Sequence, residues 1–276
     1  MTDVVFLHGL WISKESWKPW IDLFAERGYN AIAPAWPGEA DTIAETRANP
    51  DAQAGYGIDE LVDHFTAELK QRETRPVVVG HSFGGLLAEK LLGRDCIAGA
   101  VAIDPAPIKG VKPLPFAQLR SAFPVLGNPA NKERAKALNE KQFRYGFGNA
   151  LTEEESDALW AAWNIPSPGK PLFEAGFANF SPNSPAKVDT DNEDRGPLLV
   201  IAGSADHTVP EVSVRATYGL YEGSAAVTDL HVFEGKGHSL TIDHGWREVA
   251  EVVLDWLDKQ GYGATTTTSA PASTPA

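Results

Sequence analysis

Val77-Val78-Val79-Gly80-His81-Ser82-Phe83-Gly84-Gly85 is the stretch that decides how this chain is read. Three β-branched apolar residues run straight into a serine set between glycines. Leu86 to Leu92 then continues as a short apolar helix that stops at Gly93. The pattern G-x-S-x-G is weak evidence by itself; its place between a strand and a helix gives it weight. A nucleophile on so tight a strand-to-helix turn needs small neighbours, because the backbone is cramped there, and Gly80, Gly84 and Gly85 supply them. The turn lifts the Ser82 hydroxyl out at the carboxyl edge of a sheet. The helix start behind it offers unpaired N–H groups and the positive end of a dipole.

Working outward, further apolar runs appear at Val4–Leu7, Ala31–Ala33, Ile97–Ile103, Leu198–Ile201 and Val227–Phe233. Runs without polar alternation indicate strands buried on both faces, as in a parallel sheet. Between them lie helical patterns. Trp17, Trp20, Ile21 and Phe24 share one face, with Gly28 as a stop signal. Ile58, Leu61, Val62, Phe65 and Leu69 follow helical spacing, and Trp246, Val249, Ala250, Val253 and Leu257 make a last amphipathic helix. Pro210 suits a first helical position. Strand, helix, strand in repetition predicts an α/β fold: a mostly or wholly parallel six-stranded sheet flanked by helices.

Residues 108–195 break that rhythm. They hold no strand run, are rich in Pro, Phe and Trp, and contain helical pieces. Thr152-Glu153-Glu154-Glu155 reads as a capping box opening a helix that carries Leu159, Trp160 and Trp163. A structureless loop of this length is improbable inside a compact domain, so the segment is expected to be a helical cap inserted before the fifth core helix–strand unit. The expected division is a core from 1–107 and 196–262, the cap at 108–195 and a tail at 263–276. Ala264 to Ala276 lacks apolar bulk and is expected to be disordered.

The 276 residues suffice for one sizeable core. A net charge of -13 argues against nucleic acid, itself a polyanion, as a partner. The single cysteine, Cys96, excludes an internal disulfide and a CxxC metal site, and its apolar neighbours mark it as a small buried hydrophobe. No apolar run reaches the ~18 residues of a membrane span. Val4–Leu7 already reads as a strand, so no signal peptide is read and the expected location is cytoplasmic. No metal or cofactor is expected: no ligand spacing or phosphate-binding Gly-x-Gly-x-x-Gly follows a strand.

Ser82 needs a base, since a free hydroxyl is a poor nucleophile. Of seven histidines, His238 in Gly235-Lys236-Gly237-His238-Ser239 follows the last strand run, in a loop that opens on the same sheet edge as the serine. His64 falls on the solvent side of its helix and His231 lies inside a strand run. The orienting carboxylate is Asp206, in the loop after Leu198–Ile201; Asp104, at the end of the preceding strand, is its rival. Two oxyanion donors are expected, the backbone N–H groups of Phe83 and Leu10, with Gly9 allowing close approach. Trp11, His81, Trp160 and Trp163 are candidates for contact with substrate. Phe116, Phe123, Phe143, Phe173 and Phe177 are cap aromatics that either line a pocket or pack the cap onto the core.

The order Ser82, Asp206, His238, together with the His8-Gly9 loop, resembles the α/β-hydrolase superfamily, in particular its compact, cap-bearing serine hydrolases and esterases. The likeness covers about 1–107 and 196–260. It implies a sheet that begins at the family's third strand, without the usual N-terminal hairpin. It also implies a Ser-His-Asp triad cleaving a small or medium apolar carboxylic ester, with a small-molecule ester as partner, neither nucleic acid nor membrane, and a homodimer possible. The family also contains lactonases, carbon–carbon bond hydrolases, cofactor-free haloperoxidases, acyltransferases and slow-turnover ligand receptors, and these stay open. Hydroxynitrile lyase chemistry fits less well, because the lysine after the base is Ser239 here. Ser82 excludes an aspartate nucleophile.

Overall fold

The computed structural model describes residues 1–263; the expectation of a disordered tail from Ala264 onward lies outside them. The first part of the chain runs β1 (Asp3–Leu7), α1 (Lys18–Glu26), β2 (Asn30–Ile32), α2 (Ile43–Ala48), α3 (Ile58–Leu69), β3 (Val77–His81), α4 (Phe83–Gly93) and β4 (Gly99–Ile103). There follow α5 (Phe116–Leu126), β5 (Ala135–Lys136), α6 (Glu140–Gly146), α7 (Glu153–Trp163), β6 (Ser167–Pro168) and α8 (Lys170–Gly176). The last part is β7 (Leu198–Gly203), α9 (Glu211–Gly219), β8 (Thr228–Phe233) and α10 (Trp246–Lys259).

Six strands form one wholly parallel sheet in the order β2-β1-β3-β4-β7-β8. Parallel strands must be covered on both faces, and two apolar clusters do this. Val5, Leu7, Val78, Ala100, Ala102 and Val200 point to the side covered by α3, α4 and α9. Val4, Phe6, Val77, Val79, Val101, Ile103 and Ile201 point to the side covered by α1 and α10. The alternation along each strand is the two-residue period of the pleat. The six apolar runs of the sequence are these six strands.

Three local readings change. Residues 108–195 are not free of strand: β5 and β6 pair as a two-residue antiparallel ribbon, Ala135 with Pro168 and Lys136 with Ser167, too short and too polar to show a period. At α7 the Thr152 hydroxyl does accept from Glu155 N–H at 3.2 Å, but the box is not reciprocal. The Glu155 carboxylate turns to His244, accepting from its backbone N–H at 2.9 Å and lying 3.0 Å from its Nδ1. Pro210 sits one residue ahead of α9, in extended conformation.

Residues between β4 and β7 pack onto the core in part through α8, whose Glu174 accepts from Ile58 N–H at the start of α3 at 2.7 Å. Phe143 and Phe147 are fully buried, and Trp160 and Trp163 are partly buried against the apolar cluster that contains them. By contrast Phe116, Phe123 and Phe177 are exposed to solvent. Among the described residues no helix is long and apolar enough to cross a membrane.

Candidate active site

Ser82 stands between β3 and α4 with φ 57° and ψ -120°, a left-handed backbone that a non-glycine residue adopts only where its surroundings enforce it. The glycines make room for it. A Cβ on Gly80 would lie 2.0 Å from Gly84 O, and one on Gly84 would lie 2.1 Å from Leu7 O. The turn is laced to β4, Ser82 N–H donating to Ile103 O at 2.9 Å and Ala106 N–H to Ser82 O at 2.9 Å. Trp11 (φ 69°) and Asp104 (φ 40°) are also left-handed, so the loops after β1, β3 and β4 each carry a constrained residue at the same sheet edge.

Asp206 and His238 come together at that edge from the loops after β7 and β8. His238 Nδ1 donates to Asp206 Oδ2 at 2.5 Å. Asp206 Oδ1 accepts from Thr208 N–H at 2.6 Å and Val209 N–H at 2.9 Å, so the carboxylate is held at both oxygens. With Nδ1 committed as donor, Nε2 of His238 keeps its lone pair, and it is buried without a partner. Phe147 stands edge-on to the imidazole at 4.7 Å and covers it; nothing in the local sequence of Phe147 marks it, and stacking on Phe143 (4.8 Å, 6°) helps hold it there.

His81 lies beside the same ring, centroids 4.6 Å apart. Burial, then the neighbouring His238, hold its pKa well below the usual imidazole value, so it is a neutral wall. Asp104 is fully buried, 4.0 Å from His238 Nδ1 through Oδ2, and accepts from Gly203 N–H at 2.7 Å through Oδ1. Burial, then the charge of Asp206, push its pKa well above the usual carboxyl range.

The first loop is fixed by contacts far apart in sequence. His8 stacks on Trp36 (5.0 Å), and its ring nitrogens face Gly9 O at 2.8 Å and Glu39 Oε2 at 2.9 Å. Glu39 also accepts from Ser13 Oγ and Lys14 N–H. Burial would raise its pKa, but His8 and these donors bring it down to about 2. A Cβ on Gly9 would lie 2.6 Å from Ser82 Cβ, so only glycine lets the loop reach the serine. Trp11 N–H is taken by Ser167 Oγ at 2.7 Å. Among the described residues the N–H groups of Leu10 and Phe83 have no such acceptor.

The structure thus gathers Ser82, Asp206, His238, His81, Leu10, Phe83 and Trp11 at one edge. Trp160 and Trp163 lie on α7; the Trp160 indole N–H is held by Leu138 O at 2.8 Å, and Trp163 O accepts from Ser13 N–H at 3.1 Å. A surface cleft of about 650 Å³ lies elsewhere, at the far end of α4, about 16 Å along that helix from the serine. Two of its three lysines are already engaged, Lys90 by Asp59 at 2.9 Å and Lys109 by Pro182 O at 2.9 Å. Among the described residues, His81, Asp104 and His238 are the group whose donor atoms approach as metal ligands do, within 4.8 Å of one another. The His238 nitrogen nearest Asp104 is the one bonded to Asp206, which leaves that arrangement suited to protons rather than to a cation.

A parallel α/β sheet with a strained serine at a strand–helix turn and a histidine–carboxylate pair beside it defines the class. The alpha/beta hydrolase family model matches residues 4–252, and the chain belongs to that family. A non-heme chloroperoxidase, CPO-A1 of Kitasatospora aureofaciens, is 27% identical over 273 residues, 93% of this chain and 92% of its own. Among solved structures, a bromoperoxidase from Bacillus anthracis matches with a TM-score of 0.65 and 22% identity, covering 93% of this chain and 92% of that one. A methylesterase from Arabidopsis matches with a TM-score of 0.64 and 16% identity, covering 94% of this chain and 100% of that one. At these identities the structural likenesses speak to the fold.

Proposed function

We propose that the protein is a serine hydrolase that cleaves carboxylic esters of small or medium apolar substrates through an acyl-enzyme on Ser82. The observation that carries this reading is the buried His238, its Nδ1 bonded to Asp206 at 2.5 Å and its Nε2 left without a partner. Ser82 Oγ attacks the acyl carbonyl and passes its proton to His238 Nε2. Asp206 stabilises the imidazolium. Leu10 and Phe83 N–H groups stabilise the oxyanion as the tetrahedral intermediate forms. His238 then protonates the leaving alcohol and activates a water that frees the acid. Trp11, His81 and Phe147 wall the reacting centre. Trp160 and Trp163 support the residues between β4 and β7, which we assign as a cap over it.

The relative named as a chloroperoxidase favours a second reading on the same residues. Hydrogen peroxide replaces water in the second step: its oxygen attacks the acyl carbon, the bond to Ser82 Oγ breaks and takes up the proton, and a peracid leaves. The peracid, away from the protein, oxidises halide. No cofactor enters either route.

The test is hydrolysis of p-nitrophenyl esters from acetate to long-chain by wild type and Ser82→Ala. Turnover that falls to background in the variant supports the ester reading, and the chain-length preference sizes the acyl site. Repeating the assay in acetate with peroxide and bromide separates the second reading. A folded wild type inert on every ester refutes the first.

A further inference from the structure

Two carboxyl groups, not one, lie against the base. Asp206 reaches His238 Nδ1 at 2.5 Å and Asp104 at 4.0 Å. Both are buried, Asp104 completely. Two carboxylates this close to one nitrogen and out of water cannot both be ionised. The hydrogen bonds say which one keeps its charge. Among the described residues, Asp206 accepts from Thr208 N–H, Val209 N–H and His238 Nδ1, whereas Asp104 accepts from Gly203 N–H alone and its Oδ2 is buried without a partner.

The placement of Asp104 is costly and well enforced. Its φ of 40° is left-handed, and its N–H is held by Ile201 O at 2.8 Å. Together with the Gly203 bond this pins the ends of β4 and β7 to each other. The other titratable groups around it are His81 at the end of β3, beyond it His8 after β1, and His238 and Asp206 themselves. No cation other than these imidazoles faces it in that set.

We propose that Asp104 is a positioning residue of the triad: it shares a proton with Asp206, holding that carboxylate against His238, and it replaces Asp206 as the imidazole's partner when Asp206 cannot serve. The second half follows from distance. Closing 4.0 Å to a hydrogen bond takes a shift of about 1 Å, well within side-chain relaxation. When residue 206 is neutral, burial still favours the protonated form of Asp104, but the like charge that adds to it is gone and ionisation comes within reach at alkaline pH. Asp104 then releases its proton to solvent and accepts from Nδ1. Without that replacement, an asparagine at 206 would turn its amide N–H toward Nδ1, fix the wrong tautomer and cost about 10⁴ in rate.

This rests on the serine-hydrolase reading, so the experiment carries its own control for it. Wild type, Asp206→Asn, Asp104→Asn and the double variant are compared by kcat/KM on p-nitrophenyl acetate across pH 5–10. The rate of labelling by a fluorophosphonate is measured alongside; there the Ser82 Oγ–P bond forms, fluoride leaves and His238 takes the proton. Thermal melts confirm that each variant is folded.

We expect Asp206→Asn to lose about 10–100-fold, with activity climbing toward alkaline pH as Asp104 ionises. Asp104→Asn, whose amide still donates to Asp206, loses less than about tenfold. The double variant falls about 10⁴-fold, far more than the product of the two single losses. An Asp206→Asn variant as inactive as the double, with a pH profile parallel to wild type, overturns the proposal and leaves Asp104 a structural tie. A wild type that neither turns over ester nor takes the label overturns the hydrolase reading, and this proposal with it.

Discussion

Glu89→Gln on α4 is a test of the electrostatics behind the turn at Ser82. Glu89 is buried, its Oε1 accepts from Tyr221 OH at 2.9 Å, and its Oε2 has no partner. Arg195 is nearby but spends its charge elsewhere, stacked 5.0 Å over the Tyr221 ring and donating to Thr228 Oγ1 and Val227 O. Burial outweighs the Tyr221 bond and raises the Glu89 pKa to about 8. In the folded protein Glu89 therefore keeps a proton that the unfolded chain gives up near its ordinary carboxyl value. Wherever the native state binds more protons, stability falls as pH rises. The loss runs from the unfolded value to about 8 and then levels off. Between pH 6 and pH 9 a pKa of about 8 corresponds to a loss of roughly 2–3 kcal/mol.

Glutamine keeps the acceptor for Tyr221 and cannot ionise, so it lacks this slope. Urea unfolding at the two pH values measures it directly. The variant gains roughly 2–3 kcal/mol on wild type from pH 6 to pH 9, with unchanged m-values. Asp104 and every other titrating group are common to both proteins and cancel. Parallel stability curves for the two proteins would refute the argument, because they would mean that Glu89 is charged, or freely hydrated, at neutral pH.

Gly9→Ala brings a Cβ to 2.6 Å from Ser82 Cβ and 2.9 Å from His81 O; on the proposed mechanism, displacing Ser82 and the N–H groups of Leu10 and Phe83 lowers kcat by at least about 100-fold in the ester assay. Ser167→Ala removes the acceptor of Trp11 N–H and leaves a buried donor unpaired, so urea unfolding shows a loss of about 1–3 kcal/mol. Glu39→Gln breaks the buried pair with His8. Burial raises the Glu39 pKa, but His8 and the surrounding donors outweigh it and bring the value to about 2. Its contribution, about 3 kcal/mol, is full above the ordinary carboxyl value and lost as pH falls toward 2. The gap between wild type and variant in chemical unfolding should therefore narrow from pH 6 to pH 3.

The sheet was legible because a strand covered on both faces has to be apolar throughout, and Val77–Val79 or Leu198–Ile201 has no other sensible place. Gly80 and Gly84 announced the turn at Ser82 because an added Cβ has no room there. What stayed hidden is held by partners far apart in sequence. Ser167 and Trp11 are 156 positions apart, and a lone serine in a Pro-rich stretch gives no sign of such a bond. Phe147 covers His238, yet Phe116, Phe123 and Phe177, equally conspicuous in the sequence, face solvent. Helical spacing says which residues share a face but not which neighbour that face meets. Asp104 and Asp206 were told apart only as rivals, whereas the structure sets both against one imidazole.

The strand order also bears on how the chain folds as it is made. β4 is bonded to β3 on one side and β7 on the other, but about 95 residues separate Ile103 from Leu198. At typical synthesis rates that gap takes roughly 5–20 s to emerge. During that interval Gly99–Ile103 presents an apolar, hydrogen-bond-hungry edge with no strand to meet it. The helices made in that interval, α5 to α8, are the chain at hand to shield it until β7 arrives, and lesions there are expected to show first as aggregation during synthesis.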